Sequence, residues 1–304
     1  MENYRNYRAQ IDDLNISYLN LRRFEQHFLL RYSEDPAFFT TGENVYIKKH
    51  EAASEKFTEI IKELQNNEIT SELNLNDNYL NISNYKDAYA TIFQELVKKT
   101  FARGSEHAGI IGEMNNSSNA CIELADNKIL KDYSSRMQAQ SRAYLSTRDL
   151  SFYTDFLYSF TELSDLLSGE NPKNAILPVD SSTMVLDLET DSVRIEKSLF
   201  VSKEFSEHIN NFKTKFIALR KVDKQLGITY KKGLEGKIRD EIHKIDPQME
   251  QIVKHTAEAH ALSMKGIKKS VYLFIIGFGA LLIILIWQFS RSISMPLKRL
   301  YKYI

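Results

Sequence analysis

The chain has 304 residues, which is enough for one large domain or two modest ones. Lysine plus arginine and aspartate plus glutamate both number 40, so there is no excess of positive charge of the kind that nucleic-acid binding needs. The single cysteine, Cys121, excludes an intrachain disulfide and a multi-cysteine metal cluster, and the small numbers of glycine (11) and proline (5) favour long helices over many short strands.

The N-terminal half of the chain has the apolar spacing of amphipathic helices. The first 15 residues, MENYRNYRAQIDDLN, are mostly polar and lack the apolar core of a signal peptide. Apolar residues then recur three and four positions apart, which predicts helices over about 3–31, 45–65 and 82–102. Pro36 and Gly42 lie between the first and second of these helices, and an Asn-rich turn lies between the second and third.

The same spacing continues in the second half. It predicts further helices over about 106–147, 151–167 and 191–225. Two prolines and the absence of a period indicate a loop over about 170–190. A seventh helix begins near Leu234 and is expected to continue into the C-terminal apolar segment, with a kink at Pro247.

Residues 270–289 contain no charge and no proline. A helix of about 20 residues spans the roughly 30 Å hydrocarbon core of a bilayer. Tyr272 and Trp287 lie near the two ends, where aromatic rings favour the headgroup level. We therefore predict one transmembrane helix. Basic residues follow it at Arg291, Lys298, Arg299 and Lys302 and precede it at Lys265, Lys268 and Lys269, a small excess that favours a cytoplasmic C-terminus.

Three separate pieces of the sequence recur in the same order. They are NISNYKDAYATIFQELVKK (81–99) with HINNFKTKFIALRKVDKQ (208–225), GIIGEM (109–114) with GLEGKI (233–238), and EQHFLLR (25–31) with SRAYLST (141–147). Chance similarity between amphipathic helices is the alternative. The repeat predicts an all-α fold of two stacked four-helix-type modules, with units over about 15–125 and 130–250, plus the C-terminal transmembrane helix.

Two basic motifs are candidates for an anion site. Arg22, Arg23 and Arg31 lie near the end of the first predicted helix, and the planar guanidinium group binds a carboxylate through two hydrogen bonds. Arg239 and His243 lie four residues apart, on one face of the helix that follows the second Gly-x-x-Gly turn. The alternatives are a solvated basic face, pairing with nearby acids or helix carbonyls, and glycines that serve close packing only.

Enzyme motifs are absent from the sequence. There is no His-Glu-x-x-His, Gly-x-Ser-x-Gly, kinase or nucleotide-binding signature, and the seven histidines are scattered. We therefore expect no catalytic residue, no cofactor and no metal site in this chain.

The basic motifs are similar to segments of a known family. RRFEQHFLLR (22–31) resembles the RRxEKDFxLRxDxxY segment of bacterial chemoreceptor and sensor-kinase ectodomains, and GLEGKIRDEIH (233–243) resembles their GLxGxLRxAVH segment. Together with the repeat, residues 15–269 resemble the helical bimodular type of sensor domain. Such domains bind small carboxylates. The resemblance therefore supports the five basic residues named above and adds Arg136 and Arg142 as further candidates.

The last residues resemble the start of a HAMP linker, the coupling module of dimeric bacterial receptors. SRSISMPLKRL (290–300) has the order S-R-x-I-x-x-P-L-x-x-L, in which Pro296 is expected to end the membrane helix. The linker would occupy 290–304 and be incomplete.

The resemblance implies the ligand-sensing and membrane-spanning part of a bacterial receptor, of sensor histidine kinase or chemotaxis type. Residues 1–269 would lie outside the cytoplasmic membrane, and the expected partners are a second copy of the chain, a small carboxylate and the bilayer, but not nucleic acid. Because no export signal is visible, either an upstream transmembrane helix is missing, or the chain is a tail-anchored cytoplasmic scaffold that binds protein partners. A third possibility is a receptor that senses a partner protein or membrane tension.

Overall fold

The computed structural model describes residues 2–168, 202–227 and 232–300. These residues form helices joined by turns, without a β-strand among them, so the predicted all-α fold is confirmed. A 3₁₀ turn, Tyr32–Glu34, follows the first helix. The helices are α1 Glu2–Arg31, α2 Pro36–Thr41, α3 Val45–Gln65, α4 Glu68–Glu72, α5 Asn76–Arg103, α6 Gly109–Leu124, α7 Lys128–Thr147, α8 Leu150–Ser168, α9 Lys203–Leu226, α10 Gly233–His243 and α11 Ile245–Leu300.

The predicted helix over 45–65 matches α3 at both ends, and α1 and α8 match their predictions to within one residue. Two short helices, α2 and α4, lie in segments that were expected to be turns. Helix α2 begins at Pro36, whose ring suits the first helical position. The carboxylate of Asp35 caps it by accepting the amide protons of Ala37 and Phe38.

The prediction of a single helix over 106–147 is wrong, because this segment forms two helices, α6 and α7, separated by a short turn. Asn127 is the N-cap of α7, and its side-chain oxygen accepts the amide proton of Leu130 at 2.9 Å. The apolar stripe shifts by one residue at the break, since Leu130 is buried and Ile129 is 40% exposed. Spacing alone did not reveal that shift.

The C-terminal prediction needs two corrections. Helix α10 ends at His243 and α11 begins at Ile245, so the break precedes Pro247, which lies in the first turn of α11 where a missing amide proton breaks no helix bond. Helix α11 also continues past Pro296, the expected end of the membrane helix, because a proline in the interior of a helix can kink it without ending it. The predicted loop over 170–190, and 191–201 of the sixth helix, lie outside the described residues.

The chain divides into two compact units. The first unit contains Met1–Asn20, Ala53–Lys86 and His243–Ile304, and the second contains Leu21–Ala52 and Asp87–Ile242. Helices α1, α3 and α5 contribute residues to both. The units are thus interleaved along the chain and do not follow the repeat copies one after the other. The repeat boundaries remain a prediction.

The first unit has a core in which aromatic hydroxyl groups find partners. Tyr7, Leu14, Phe57 and Tyr79 are fully buried. The hydroxyl of Tyr7 is hydrogen-bonded to Thr70 and to Tyr79, both at 2.9 Å. These bonds remove the penalty of burying three hydroxyl groups, so the rings can contribute their full apolar area.

The second unit contains a bundle of α6, α7, α8 and α9. Helix α6 packs against α9 and α7, and α7 packs against α8. Phe156 and Phe212 meet edge to face at 4.9 Å between ring centroids. The buried apolar residues of this bundle are Ile111, Met114, Cys121, Leu130, Tyr133, Met137, Tyr144, Phe156, Phe160, Leu163, Phe205, Ile209, Phe212, Phe216 and Leu219.

The two Gly-x-x-Gly turns have the same backbone geometry. Gly109 and Gly233 have φ values of 62° and 63°, which favour glycine. A Cβ atom on Gly109 would lie 2.7 Å from Cα of Gly104, and one on Gly233 would lie 2.7 Å from Cα of Gly227. Gly104 and Gly227 each follow directly on the preceding helix, α5 or α9. The same steric constraint therefore requires glycine at both turns.

Helix α11 combines a packed part with an exposed apolar part. Ile245, Met249 and Ile252 are buried in the first unit, whereas Phe274 and Ile283 are 73% and 69% exposed. Among the described residues, this is the one helix long and apolar enough to cross a membrane, and its most apolar window is not buried. A core helix of a water-soluble protein would bury such a face, so α11 is a candidate membrane-spanning helix.

Candidate functional site

The five basic residues predicted to bind an anion are divided between the units. Arg22, Arg23, Arg31 and Arg239 belong to the second unit, and His243 belongs to the first. The Nδ1 atom of His243 lies 2.9 Å from Oδ2 of Asp246, three residues further along the chain. Asp246 also accepts a hydrogen bond from Tyr18 at 2.5 Å, so this carboxylate already has two partners.

The arginines of α1 contact neighbouring side chains. Arg31 donates to the hydroxyl of Tyr46 at 3.3 Å, and the guanidinium carbon of Arg23 lies 4.9 Å from the ring centroid of Phe24. Burial raises the pKa of Glu25 to about 7, while its hydrogen bond from Tyr89 and the charge of Arg22 act in the opposite direction. None of the five predicted residues lines the polar cleft described next. Their role in ligand binding stays a prediction.

The second unit contains a polar cleft with a volume of about 590 Å³. Its walls come from the 3₁₀ turn, the loop between α5 and α6, and helices α6 and α7. We call it the Arg142 cleft. Its lining residues are Tyr32, Ser33, Arg103, Gly104, Ser105, Glu106, His107, Ile111, Asn115, Asn116, Asn119, Arg142 and Leu145.

Two basic side chains in this cleft have no polar partner among the described residues. Arg142 and His107 are exposed and make no hydrogen bond or ion pair with the described part of the chain. Asn119 accepts a hydrogen bond from Gln138 at 2.8 Å through its side-chain oxygen, which leaves its NH₂ group available. The cleft therefore offers a guanidinium, an imidazole and an amide donor to a ligand, and Glu106 is its one acidic lining residue.

Arg103 also lines this cleft but is already paired. Its Nε atom donates to Oδ1 of Asp223 at 2.6 Å, and the two side chains are 9% and 0% exposed. Burial acts to lower the pKa of Arg103, but the adjacent carboxylate of Asp223 outweighs this effect and raises it. Arg103 therefore stays charged, and its ion pair joins α5 to α9 beside the cleft.

The loop that carries His107 is held by its own backbone. Ser105 and Ala108 exchange two backbone hydrogen bonds at 3.0 and 3.2 Å, and the side chain of Asn115 donates to the carbonyl of Glu106 at 3.0 Å. A ligand would therefore meet a preformed surface, which reduces the entropy lost on binding.

The second unit also contains a buried network of three titratable side chains. The hydroxyl of Tyr89 donates to Oε2 of Glu25 at 3.0 Å and is hydrogen-bonded to Nε2 of His50, also at 3.0 Å. His50 stacks on Phe93 with the ring centroids 3.9 Å apart, and burial lowers the pKa of His50 to about 4. His50 is therefore neutral at pH 7. The network connects α1, α3 and α5, and the apolar spacing of these helices gave no sign of it.

The described residues include no group of three or more His, Cys, Asp or Glu side chains that could hold a metal ion. No protein-family model, curated protein or solved structure matches this chain.

Sequence reasoning named Arg142 as a further candidate through the repeat, and missed Arg103 and His107. The signal that could have found them is the polar stretch RGSEHAG, residues 103–109, which leads into the first Gly-x-x-Gly turn. Its polar residues stand where the chain must leave one helix and enter the next. A loop held against a helix bundle is a common place for a ligand-binding residue.

Proposed function

We propose that this chain is the ligand-sensing and membrane-spanning part of a bacterial transmembrane receptor. The observation that carries the proposal is the continuity of α11, in which one helix is packed in the first unit at Met249 and Ile252 and then presents exposed apolar residues from Val271 to Trp287. Such a helix suits the transfer of a small displacement from a folded unit into a bilayer. Residues 1–269 would lie outside the cytoplasmic membrane, and a second copy of the chain would complete the receptor.

We propose a small carboxylate as the ligand and the Arg142 cleft as its site. Arg142 has no partner among the described residues, whereas Arg23 and Arg31 contact Phe24 and Tyr46. A carboxylate can accept two parallel hydrogen bonds from one guanidinium group, and His107 and Asn119 supply further donors nearby.

Signalling would follow from a difference in ligand affinity between two arrangements of the helices. The ligand can shift that equilibrium only by as much as it binds one arrangement better than the other. Helices α1, α3 and α5 provide covalent continuity between the units, because each contributes residues to both. The output module would lie beyond this chain.

The ligand claim is tested by thermal unfolding of the full chain in mild detergent, with acetate, succinate and aspartate as probes. At a concentration 100 times Kd, a ligand stabilises the folded state by about 2.7 kcal/mol, which raises Tm by roughly 5 °C or more. Arg142→Gln should abolish the rise. Arg136→Gln removes the same charge from the same helix, outside the cleft, and should keep it.

Two results would change the assignment. A rise that survives Arg142→Gln but is lost in Arg23→Gln or Arg31→Gln would return the site to the arginines of α1. No rise with any carboxylate would remove the ligand claim and favour a receptor that senses a protein or membrane tension.

The orientation is tested by cysteine labelling with a membrane-impermeant maleimide. The natural Cys121 is fully buried, so the unmodified chain should give little background. Ser135→Cys places an exposed thiol on α7, and Lys302→Cys places one after the apolar segment in sequence. The receptor reading expects Ser135→Cys to react in intact cells and Lys302→Cys only after lysis. The reverse pattern would favour the tail-anchored cytoplasmic scaffold.

A further inference from the structure

The Arg142 cleft contains an available negative charge as well as a positive one. Arg142 on α7 and Glu106 in the loop before α6 both line it and are exposed. Neither side chain forms a hydrogen bond or ion pair with the rest of the described chain. The third charged lining residue, Arg103, is already compensated by Asp223. Apart from the imidazole of His107, the cleft therefore leaves one guanidinium and one carboxylate for a ligand.

The register of α6 and α7 places Arg142 beside Asn115. The two helices pack against each other and are joined only by the short turn 125–127, so they run antiparallel. Gln138 of α7 donates to Asn119 of α6 at 2.8 Å. Asn115 lies one turn earlier on α6 and Arg142 one turn later on α7, so both lie about 6 Å from that bond and in the same direction along the pair. Asn115 and Arg142 are therefore neighbours across the two helices.

Asn115 also connects this position to the loop that carries Glu106. Its side chain donates to the backbone carbonyl of Glu106 at 3.0 Å. Glu106 and Arg142 are thus both adjacent to Asn115, although they belong to different elements of the cleft wall. Their charged groups do not form an ion pair with each other. Each group is therefore available to a different part of one ligand.

We infer that the Arg142 cleft selects α-amino acids among small carboxylates, with Arg142 binding the α-carboxylate and Glu106 accepting hydrogen bonds from the α-ammonium group. An α-amino acid carries both charges on one carbon atom, and their sum is zero, as is the sum of the two available charges in the cleft. A carboxylate without an ammonium group would instead bring a negative charge close to Glu106, which is unfavourable. The inference rests on the proposed function, because it names the class of carboxylate that the same cleft would bind.

The test compares ligands that differ only in the ammonium group. The pairs are alanine with propionate, serine with 3-hydroxypropionate, and aspartate with succinate. Isothermal titration calorimetry of the full chain in mild detergent gives the dissociation constant of each. A hydrogen bond to a charged group contributes roughly tenfold or more in affinity. We therefore expect the amino acid of at least one pair to bind roughly tenfold more tightly than its counterpart.

Glu106→Gln should remove this preference. The change keeps the size of the side chain and the backbone carbonyl that Asn115 contacts, so the helix content by circular dichroism should not change. The affinity for the amino acid should fall roughly tenfold, and the affinity for its counterpart should not fall, because a repulsive charge has been removed. The matched control is Glu123→Gln, which removes an exposed carboxylate from α6 outside the cleft and should keep the preference.

Three results would contradict the inference, and they can be told apart. Equal affinities within every pair, all lost in Arg142→Gln, would overturn the selection of amino acids and leave the proposed carboxylate site in place. A preference for an amino acid that survives Glu106→Gln would overturn the role of Glu106. No binding of any of the six compounds would overturn the proposed carboxylate site and this inference together.

Discussion

The guanidinium of Arg103 and the carboxylate of Asp223 meet at 2.6 Å, across 120 positions of sequence. Arg103 is the last residue of α5, and Asp223 lies in the last turn of α9. The carbonyl of Asp223 also accepts the amide proton of Gly227 at 2.9 Å. The ion pair therefore joins the segments before the two Gly-x-x-Gly turns. Its partners are almost fully buried, so each depends on the other for compensation of its charge.

Removing either partner should be strongly destabilising. We expect Arg103→Ala and Asp223→Ala each to lower the free energy of unfolding by about 3–5 kcal/mol, because a charge would remain buried without its partner. Arg103→Met combined with Asp223→Leu should lose less than either single change. Urea unfolding followed at 222 nm measures these differences. Arg136→Ala is the control, since its pair with Glu162 at 3.7 Å is partly exposed and worth less than about 1 kcal/mol.

Replacing glycine by alanine should destabilise the protein more at the two turns than at a glycine with open space around it. Gly109→Ala and Gly233→Ala add a methyl group at positive φ within 3 Å of backbone atoms, and we expect each to cost roughly 2–4 kcal/mol. Gly42 also has positive φ, but a Cβ there would meet no atom within 4 Å, so Gly42→Ala should cost only about 1 kcal/mol. Similar unfolding midpoints for all three would contradict the close approach.

Glu25 should make the stability depend on pH. Burial raises its pKa from 4.5 to about 7. The folded chain therefore holds a proton that the unfolded chain has released, and the stabilisation present below pH 4.5 is lost as the pH rises through 7. We expect the unmodified chain to lose up to about 3 kcal/mol relative to Glu25→Gln between pH 4.5 and 7.5. Unfolding curves across this interval test it, with the exposed Glu123→Gln as a control that should run parallel to the unmodified chain.

His50 should make the free energy of unfolding change with pH in the direction opposite to that of Glu25. Burial lowers its pKa from 6.5 to about 4, so its contribution is present above pH 6.5 and is lost as the pH falls through 4. Relative to His50→Gln, the unmodified chain should lose up to about 3 kcal/mol over that interval. The two effects oppose each other between pH 4.5 and 6.5. For each variant, the difference in unfolding free energy from the unmodified chain is plotted against pH. If the two difference curves slope the same way, one of these pKa directions is wrong.

Introducing charged residues into the apolar segment of α11 should prevent this segment from anchoring the chain in a membrane. A lysine at the centre of a transmembrane helix costs about 2.5–3.5 kcal/mol, so Leu281→Lys with Ile284→Lys should cost about 5–7 kcal/mol. We expect this variant to leave the membrane pellet on alkaline carbonate washing. Leu262→Lys changes an exposed leucine outside the segment and should remain in the pellet. Release of all proteins alike, the unmodified chain included, would count against a transmembrane helix.

Local features of the fold were predictable from sequence. The length of α3 follows from the spacing of its apolar residues between two turns, and the apolar segment of α11 follows from composition. The break at Asn127 was missed because one polar cap and a shift of the apolar stripe by a single residue leave the three- and four-residue spacing almost unchanged. Apolar spacing assigns helices but does not say which helices pack together, so the spacing alone does not give the division into two interleaved units.

The candidate site was predictable only in part. Arg142 could be named through its place in the repeat, but its lack of a partner depends on side chains from other helices. Arg23 and Arg31 looked equally suitable in sequence and contact aromatic neighbours in the structure. The pairing of Arg103 with Asp223 spans most of the chain, and no local pattern predicts it.

In the proposed receptor, the unbroken course of α11 would let this helix act as a lever. About 35 residues separate Ile252 from Trp287, which corresponds to roughly 50 Å of rigid rod. Tilting the packed end by about 5° would move the opposite end by about 4 Å. A small repacking around Ile252 would therefore produce a displacement about as large as the width of a side chain.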